Sequence, residues 1–242
     1  MLFNTPIFFV FFVLFVGIYG LLLVQKRPRL YFILVASLVF YGAWNYRFIP
    51  LLVGSSIIDY YLALAIGAAT TQTRKKWLLT ASVSMNLGIL GLFKYADFAL
   101  TSVADFLQVF GVEASLPTLS WVLPVGISFY TFQTLSYTID VYRGRLQPCR
   151  NFVDFALYVC YFPQLVAGPI ERARHFLPQI THSRRLRYAD VREGGWLLLY
   201  GYFKKVVVAD NLAVIVDEVY GNLGGVDVGM LLVGTVAFAF QI

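Results

Sequence analysis

Between residues 124 and 144 the chain reads PVGISFYTFQTLSYTIDVYRG. Ser128, Thr131, Gln133, Thr134, Ser136, Thr138, Asp140 and Arg143 bring hydroxyls, an amide, a carboxylate and a guanidinium into sequence that is otherwise hydrocarbon. On a helix, Gln133, Ser136 or Tyr137, Asp140 and Arg143 or Gly144 recur every three to four residues and share one face, while Phe129, Phe132, Leu135 and Ile139 fall elsewhere. Two roles fit such a face. It could be the wall of a substrate path, with Ser128, Tyr130, Gln133, Tyr137 and Asp140 as the candidate lining. It could also be a set of interhelical hydrogen bonds, worth ~0.6 kcal/mol each, with Asp140 and Arg143 as an interfacial ion pair. A charge held against lipid at mid-bilayer costs about 2.5–3.5 kcal/mol, so in either role the stripe must turn toward protein or water.

Other groups are candidates one at a time. Asp59, in SSIIDYYLA, is a carboxylate inside an apolar run. It is either functional or bonded within the bundle, as an N-cap or to a Tyr or Trp of a neighbouring helix. His175 and His182 are the two histidines. His175 could act as a base, but beside so many arginines it reads more plainly as an interfacial residue near lipid headgroups. The segment 172–192 carries Arg172, Arg174, Arg184, Arg185, Arg187 and Arg192. Arg172 and its neighbours could hold a phosphate-bearing donor such as a coenzyme A thioester; a positive-inside anchor explains the same run. Cys149 and Cys160 have neither metal-ligand nor disulfide spacing and read as free thiols. No phosphate-binding loop, nucleophile elbow or zinc motif occurs. No metal site or complete catalytic set is expected from these residues.

The elements that must position these groups are membrane helices. Of 242 residues, 59% are hydrophobic and 13% charged, and the mean hydropathy is +0.72. A soluble domain carries about twice that charge and could not cover its surface with so few polar groups. The net charge of +6 lies in short clusters between apolar runs. That pattern suits headgroups of membrane lipids and gives no nucleic-acid-binding face. Residues 1–25 are uncharged and long enough to span; a basic cluster follows them, unlike a cleaved signal peptide. Further runs cover 30–46, 48–69 and 77–93. An amphipathic interfacial helix is expected over 94–110, a crossing over 119–139, a re-entrant dip over 152–170 broken by Pro163, Gly168 and Pro169, and a long run over 194–219 with Lys204 and Lys205 inside it. The positive-inside rule then puts the N-terminus outside and the 26–29, 74–76 and 143–150 clusters in the cytoplasm. The final run, VGMLLVGTVAFAFQI, has no flanking charge or polar tail, and the chain reads as one that breaks off inside apolar sequence. The expected architecture is an all-α polytopic bundle, with 1–242 as a single membrane-embedded domain.

The blocks PVGISFYTFQTLSYTIDVYRG (124–144), YFPQLVAGPIERARHFLPQI (161–180), GILGLFKYADF (88–98) and GYFKKVVVADNLA (201–213) resemble the membrane-bound O-acyltransferase family. The likeness is greatest to its bacterial alginate O-acetylation branch; peptidoglycan O-acetyltransferases and teichoic-acid D-alanyl transferases look similar. The resemblance implies a ring of helices with a re-entrant segment around a tunnel, in the bacterial inner membrane. It implies acetyl transfer to an exopolysaccharide such as alginate, through a periplasmic acetyltransferase partner and the polysaccharide machinery. No cofactor is bound in such a scheme, and acetyl-CoA is the candidate acyl donor. Family members are roughly twice as long, and their catalytic histidine lies in a later segment. That role is not carried onto His175 or His182, and no residue here is assigned as catalytic. Readings from other classes are a transporter or flippase, and a non-catalytic scaffold of a polysaccharide synthesis complex. A transporter should show helix breaks paired between two similar halves, and the sequence shows none.

Overall fold

A helix can satisfy all of its backbone groups internally, which lipid demands of any segment that crosses it. Every regular element among the described residues is helical. The structure, a computed structural model, describes residues 3–110, 122–165, 168–182, 187–222 and 224–242. The chain forms two compact units, Phe15–Ser183 and Leu2–Leu14 with Arg184–Ile242.

Helix α1 (Pro6–Leu22) opens on a proline, whose missing N–H is harmless in a first turn. Helix α2 (Lys26–Asn45) starts within the first basic cluster. A 3-10 turn at Tyr46–Phe48 leads into α3 (Ile49–Ala68). Helix α4 runs unbroken from Gln72 to Val109. This corrects the expectation of a crossing over 77–93 followed by a separate interfacial helix over 94–110. Gly88 and Gly91 are the helix-weakening residues near the expected break, and no proline interrupts it. Lys94 lies 5.3 Å over the Tyr95 ring, and Thr101 donates back to the Asp97 carbonyl at 2.9 Å. The polar groups are thus accommodated within the helix. At 1.5 Å per residue it is ~57 Å long, well beyond a ~30 Å hydrocarbon core.

The expected crossing at 119–139 is α5 (Ile127–Tyr142); residues 111–121 lie outside the described ones. The expected dip becomes two short helices, α6 (Phe152–Cys160) and α7 (Phe162–Leu165), neither long enough to cross a bilayer. Asn151 caps α6, accepting from the Val153 and Asp154 amides at 3.0 and 3.4 Å. Helix α8 (Ala173–Thr181) follows. The run expected at 194–219 is divided into α9 (Tyr188–Tyr202), a π-helical turn (Phe203–Ala209) and α10 (Asp210–Gly221). Helix α11 (Val228–Gln241) ends the chain.

Lys26–Ala68, which holds α2 and α3, and Gln72–Val109 are long and apolar enough to cross a membrane. The distribution of side chains agrees. Ser37, Ser55, Ser56, Asp59, Ser82, Asn86, Thr131, Gln133, Thr134 and Thr138 are all buried, while Phe9, Leu21, Tyr61, Phe98, Leu198 and Phe240 are among the exposed apolar groups. A water-soluble protein places these classes the other way round. The protein is a helical membrane protein.

In the first unit, α5 is the centre and packs against α3, α4 and α6. In the second, Tyr202 Oη donates to the Phe3 carbonyl at 2.6 Å, and Lys205 pairs with Asp210. Helices α10 and α11 come close enough that a Cβ on Gly234 would lie 2.6 Å from Val219 Cγ1.

Candidate functional site

Gly126 precedes α5 with φ of 76°, in the left-handed region that costs a side-chain-bearing residue. A Cβ there would also stand 2.5 Å from the Leu165 carbonyl oxygen. Glycine therefore lets the start of α5 press against the backbone of α7. Gly126→Ala is expected to cost about 1–3 kcal/mol, seen as a lower unfolding temperature in detergent.

Beyond this turn the polar stripe faces inward. Tyr130, Gln133 and Tyr137 are at most 2% exposed and Asp140 8%, whereas Phe132 is 48% exposed. Ser128 is half-buried. The bonds are interhelical. Gln133 Nε2 donates to the Tyr158 carbonyl at 2.7 Å, and Tyr158 Oη donates to the Gln133 carbonyl at 3.2 Å and the Glu171 carbonyl at 3.1 Å. Tyr137 Oη accepts the Cys149 amide at 2.8 Å. Tyr60 Oη donates to the Arg150 carbonyl at 2.8 Å. Two phenols from inside the unit thus hold the 143–151 loop. Arg172 stands apart from the stripe: it is exposed at the N-cap of α8, one residue from the carbonyl that Tyr158 reaches. The ion pair expected between Asp140 and Arg143 is not among those of the described residues; Arg143 is exposed and Asp140 buried. Tyr130 Oη and the Oε1 atoms of Gln133 and Gln164 are buried without a hydrogen-bond partner among the described residues.

Asp59 is fully buried, and its partners are not the Tyr or Trp that the sequence suggested. Oδ1 accepts from Ser82 Oγ at 2.7 Å and from Asn86 Nδ2 at 2.9 Å; Oδ2 accepts from the same nitrogen at 2.8 Å. Asn86 Oδ1 accepts from Thr134 Oγ1 at 3.3 Å. One carboxylate therefore ties α3 to α4, and through Asn86 to α5. The signal for Ser82 and Asn86 was available: two polar residues four apart in an apolar run share a helix face.

Neither histidine has a base's setting. His175 Nε2 accepts from Arg174 Nε at 3.0 Å on an exposed surface, and His182 Nδ1 lies 2.6 Å from the Pro178 carbonyl. Both cysteines are free. Burial pushes the Cys149 thiol, in the loop before α6, above its ordinary range. No cluster of possible metal ligands occurs among the described residues. Apolar surface grooves of the second unit include one of about 620 Å³ along α9 and the π-helical turn and one of about 380 Å³ between α10 and α11; neither includes a residue of the expected path.

The whole chain is 40% identical to a probable alginate O-acetylase of Azotobacter vinelandii, of which it covers 48%. It is 38% identical to one of Pseudomonas putida, covering 49%, and 33% identical to a peptidoglycan O-acetyltransferase of Helicobacter pylori, covering 51%. Over its full length the chain is similar to proteins named as O-acetylases and O-acetyltransferases. It spans about half the length of the curated relatives it matches. No family model and no solved structure matches it. The inward stripe of α5 and the Asp59 cluster are buried polar groups of the first unit.

Proposed function

We propose that the protein acts in membrane O-acetylation of an exopolysaccharide such as alginate. It does so as a multi-pass protein of the bacterial inner membrane with its N-terminus outside, its 242 residues forming one membrane-embedded domain. An acetyl group enters as a thioester on the cytoplasmic side, with acetyl-CoA the candidate donor, and passes to a periplasmic acetyltransferase partner. In that transfer an oxygen–acyl bond forms as the carbon–sulfur bond breaks; the acceptor hydroxyl gives up its proton and the departing thiolate takes one. Ser128, Tyr130, Gln133, Tyr137 and Asp140 lie along the path and brace it, while Arg172 stands at its basic mouth. The unpartnered Tyr130 Oη and the amide oxygens of Gln133 and Gln164 offer bonds to a neutral group passing by.

The observation that carries this reading is similarity over the whole chain to proteins named for O-acetylation. The experiment is deletion of the natural gene in a strain that makes an acetylated exopolysaccharide, with polymer acetate measured by mass spectrometry. Acetate is expected to fall in the deletion strain and to return on complementation. Unchanged acetate would sink the reading. Orientation is read separately, from a cysteine placed at the exposed Tyr188. It should react with an impermeant maleimide only once the cytoplasmic face is opened.

A further inference from the structure

Arg29 lies in the first turn of α2 and is 2% exposed. Its Nη1 donates to the Leu23 carbonyl at 3.1 Å, and its Nη2 donates to the Ile180 and His182 carbonyls at 3.4 and 3.0 Å. Leu23 follows the last residue of α1; Ile180 and His182 are in the last turn and at the C-cap of α8. No carboxylate pairs with Arg29 among the described residues. The last carbonyls of a helix lack intrahelical partners and carry partial negative charge. Two such ends converge here on one cation, so each supplies what the other lacks. Arg27, two residues earlier, does something different. It is half exposed and reaches Asp154 at the start of α6, 3.2 Å away.

The guanidinium is needed for this arrangement. It is a rigid fork of five N–H donors that can address carbonyls in several directions at once. A lysine ammonium is a single point on a flexible stem and could not span the same three oxygens. Apolar contacts also hold α8: Phe176 packs on Tyr158 and Tyr161 with ring centroids 5.9 and 5.2 Å apart. Those rings hold its middle, and Arg29 is the polar tie at its C-terminal end.

We propose that Arg29 is a positioning residue that sets the register of α8 on the first unit, and with it the exposed Arg172, Arg174 and His175. The tie itself does not depend on acyl transfer; the functional reading enters only in what those three side chains would meet.

The test is spin-label distance measurement on the whole chain in lipid nanodiscs, with Cys149 and Cys160 replaced. One label pair joins Gln179 on α8 to Trp77 on α4; a control pair joins Tyr31 on α2 to Trp77. Arg29→Gln is expected to replace a narrow Gln179–Trp77 distribution with a broad one shifted to longer distances, while the control pair stays narrow. Arg29→Lys keeps the charge and is expected to recover only part of the narrow component. If Arg29→Gln does not fold, the Lys variant alone decides, through the same broadening confined to α8. An unchanged α8 distance in these variants would show that the Phe176 rings suffice and would overturn the proposal. Equal broadening of both pairs would overturn it too, by making Arg29 a general folding residue. Neither result bears on whether the deletion strain loses polymer acetate.

Discussion

Asp59→Leu is expected to be among the most destabilising single substitutions in the chain. The carboxylate takes three hydrogen bonds from Ser82 and Asn86, and its site is closed to solvent. Removing it strands the Asn86 amide N–H and the Ser82 hydroxyl in the interior, at roughly 1–3 kcal/mol for each unpaired donor. Ser82 can turn back to a carbonyl of its own helix; the Asn86 amide already uses one bond to the Ser82 carbonyl, at 3.0 Å, and keeps a donor without an acceptor. Hydrogen bonds between membrane helices average only ~0.6 kcal/mol because separated helices find other partners. A carboxylate is different, since the separated helix would have to hold it against lipid. Asp59→Asn is expected to be little better, because an amide brings donors toward donors. Replacing both partners is the decisive comparison. Asp59→Leu with Asn86→Leu should recover part of the loss, as apolar pairs of similar shape are nearly neutral substitutes. Unfolding in mixed micelles for the four members of this cycle gives the coupling directly. Additive effects would mean that the two residues do not act as a unit.

What could be read before the fold was known follows from which signals are local. Burial of the α5 stripe was legible because helical spacing puts Gln133, Tyr137 and Asp140 on one face and lipid penalises polar groups. The short helices at 152–165 were foreshadowed by Pro163, Gly168 and Pro169, which stop a helix locally. The unbroken α4 is not legible locally, because Lys94, Asp97 and Asp105 suggest a water interface. A helix long enough to leave the hydrocarbon supplies that interface itself. The Asp59 partners and two of the three carbonyls on Arg29, those of Ile180 and His182, were beyond local reading. They join residues 23 to 153 positions apart, and the sequence offers many serines, asparagines and carbonyls that would serve as well. Tyr158 gives no local signal for a related reason: in an apolar run a tyrosine looks like core, and its hydroxyl matters only because α5 and Glu171 present carbonyls to it.

The Gln133–Tyr158 exchange yields the second large effect, and it separates a brace from a lining. Tyr158 lies in the last turn of α6, where carbonyls have no partner within the helix. Gln133 Nε2 supplies one at 2.7 Å, so α5 satisfies the end of α6 from the side. Gln133→Leu removes that donor and leaves a buried acceptor unpaired, with an expected loss of roughly 1–3 kcal/mol. Tyr158→Phe breaks the return bonds to the Gln133 and Glu171 carbonyls, and about 0.5–1.5 kcal/mol is expected for each net bond lost. Tyr130→Phe, three residues before Gln133 on α5, is the contrast. Its hydroxyl is buried and makes no hydrogen bond among the described residues, so its removal should leave stability unchanged or raise it. If the stripe only braced helices, activity would follow stability across these three variants. If it also lines the acetyl route, Tyr130→Phe should lower polymer acetate in the complemented strain while the protein stays fully folded. The same acetate and unfolding measurements on Gln133→Leu then show how much of its effect is architecture. Wild-type stability in Gln133→Leu would mean that α6 needs no lateral partner, and the packing of α5 against α6 would have to rest on Phe155, Tyr137 and the rings around them.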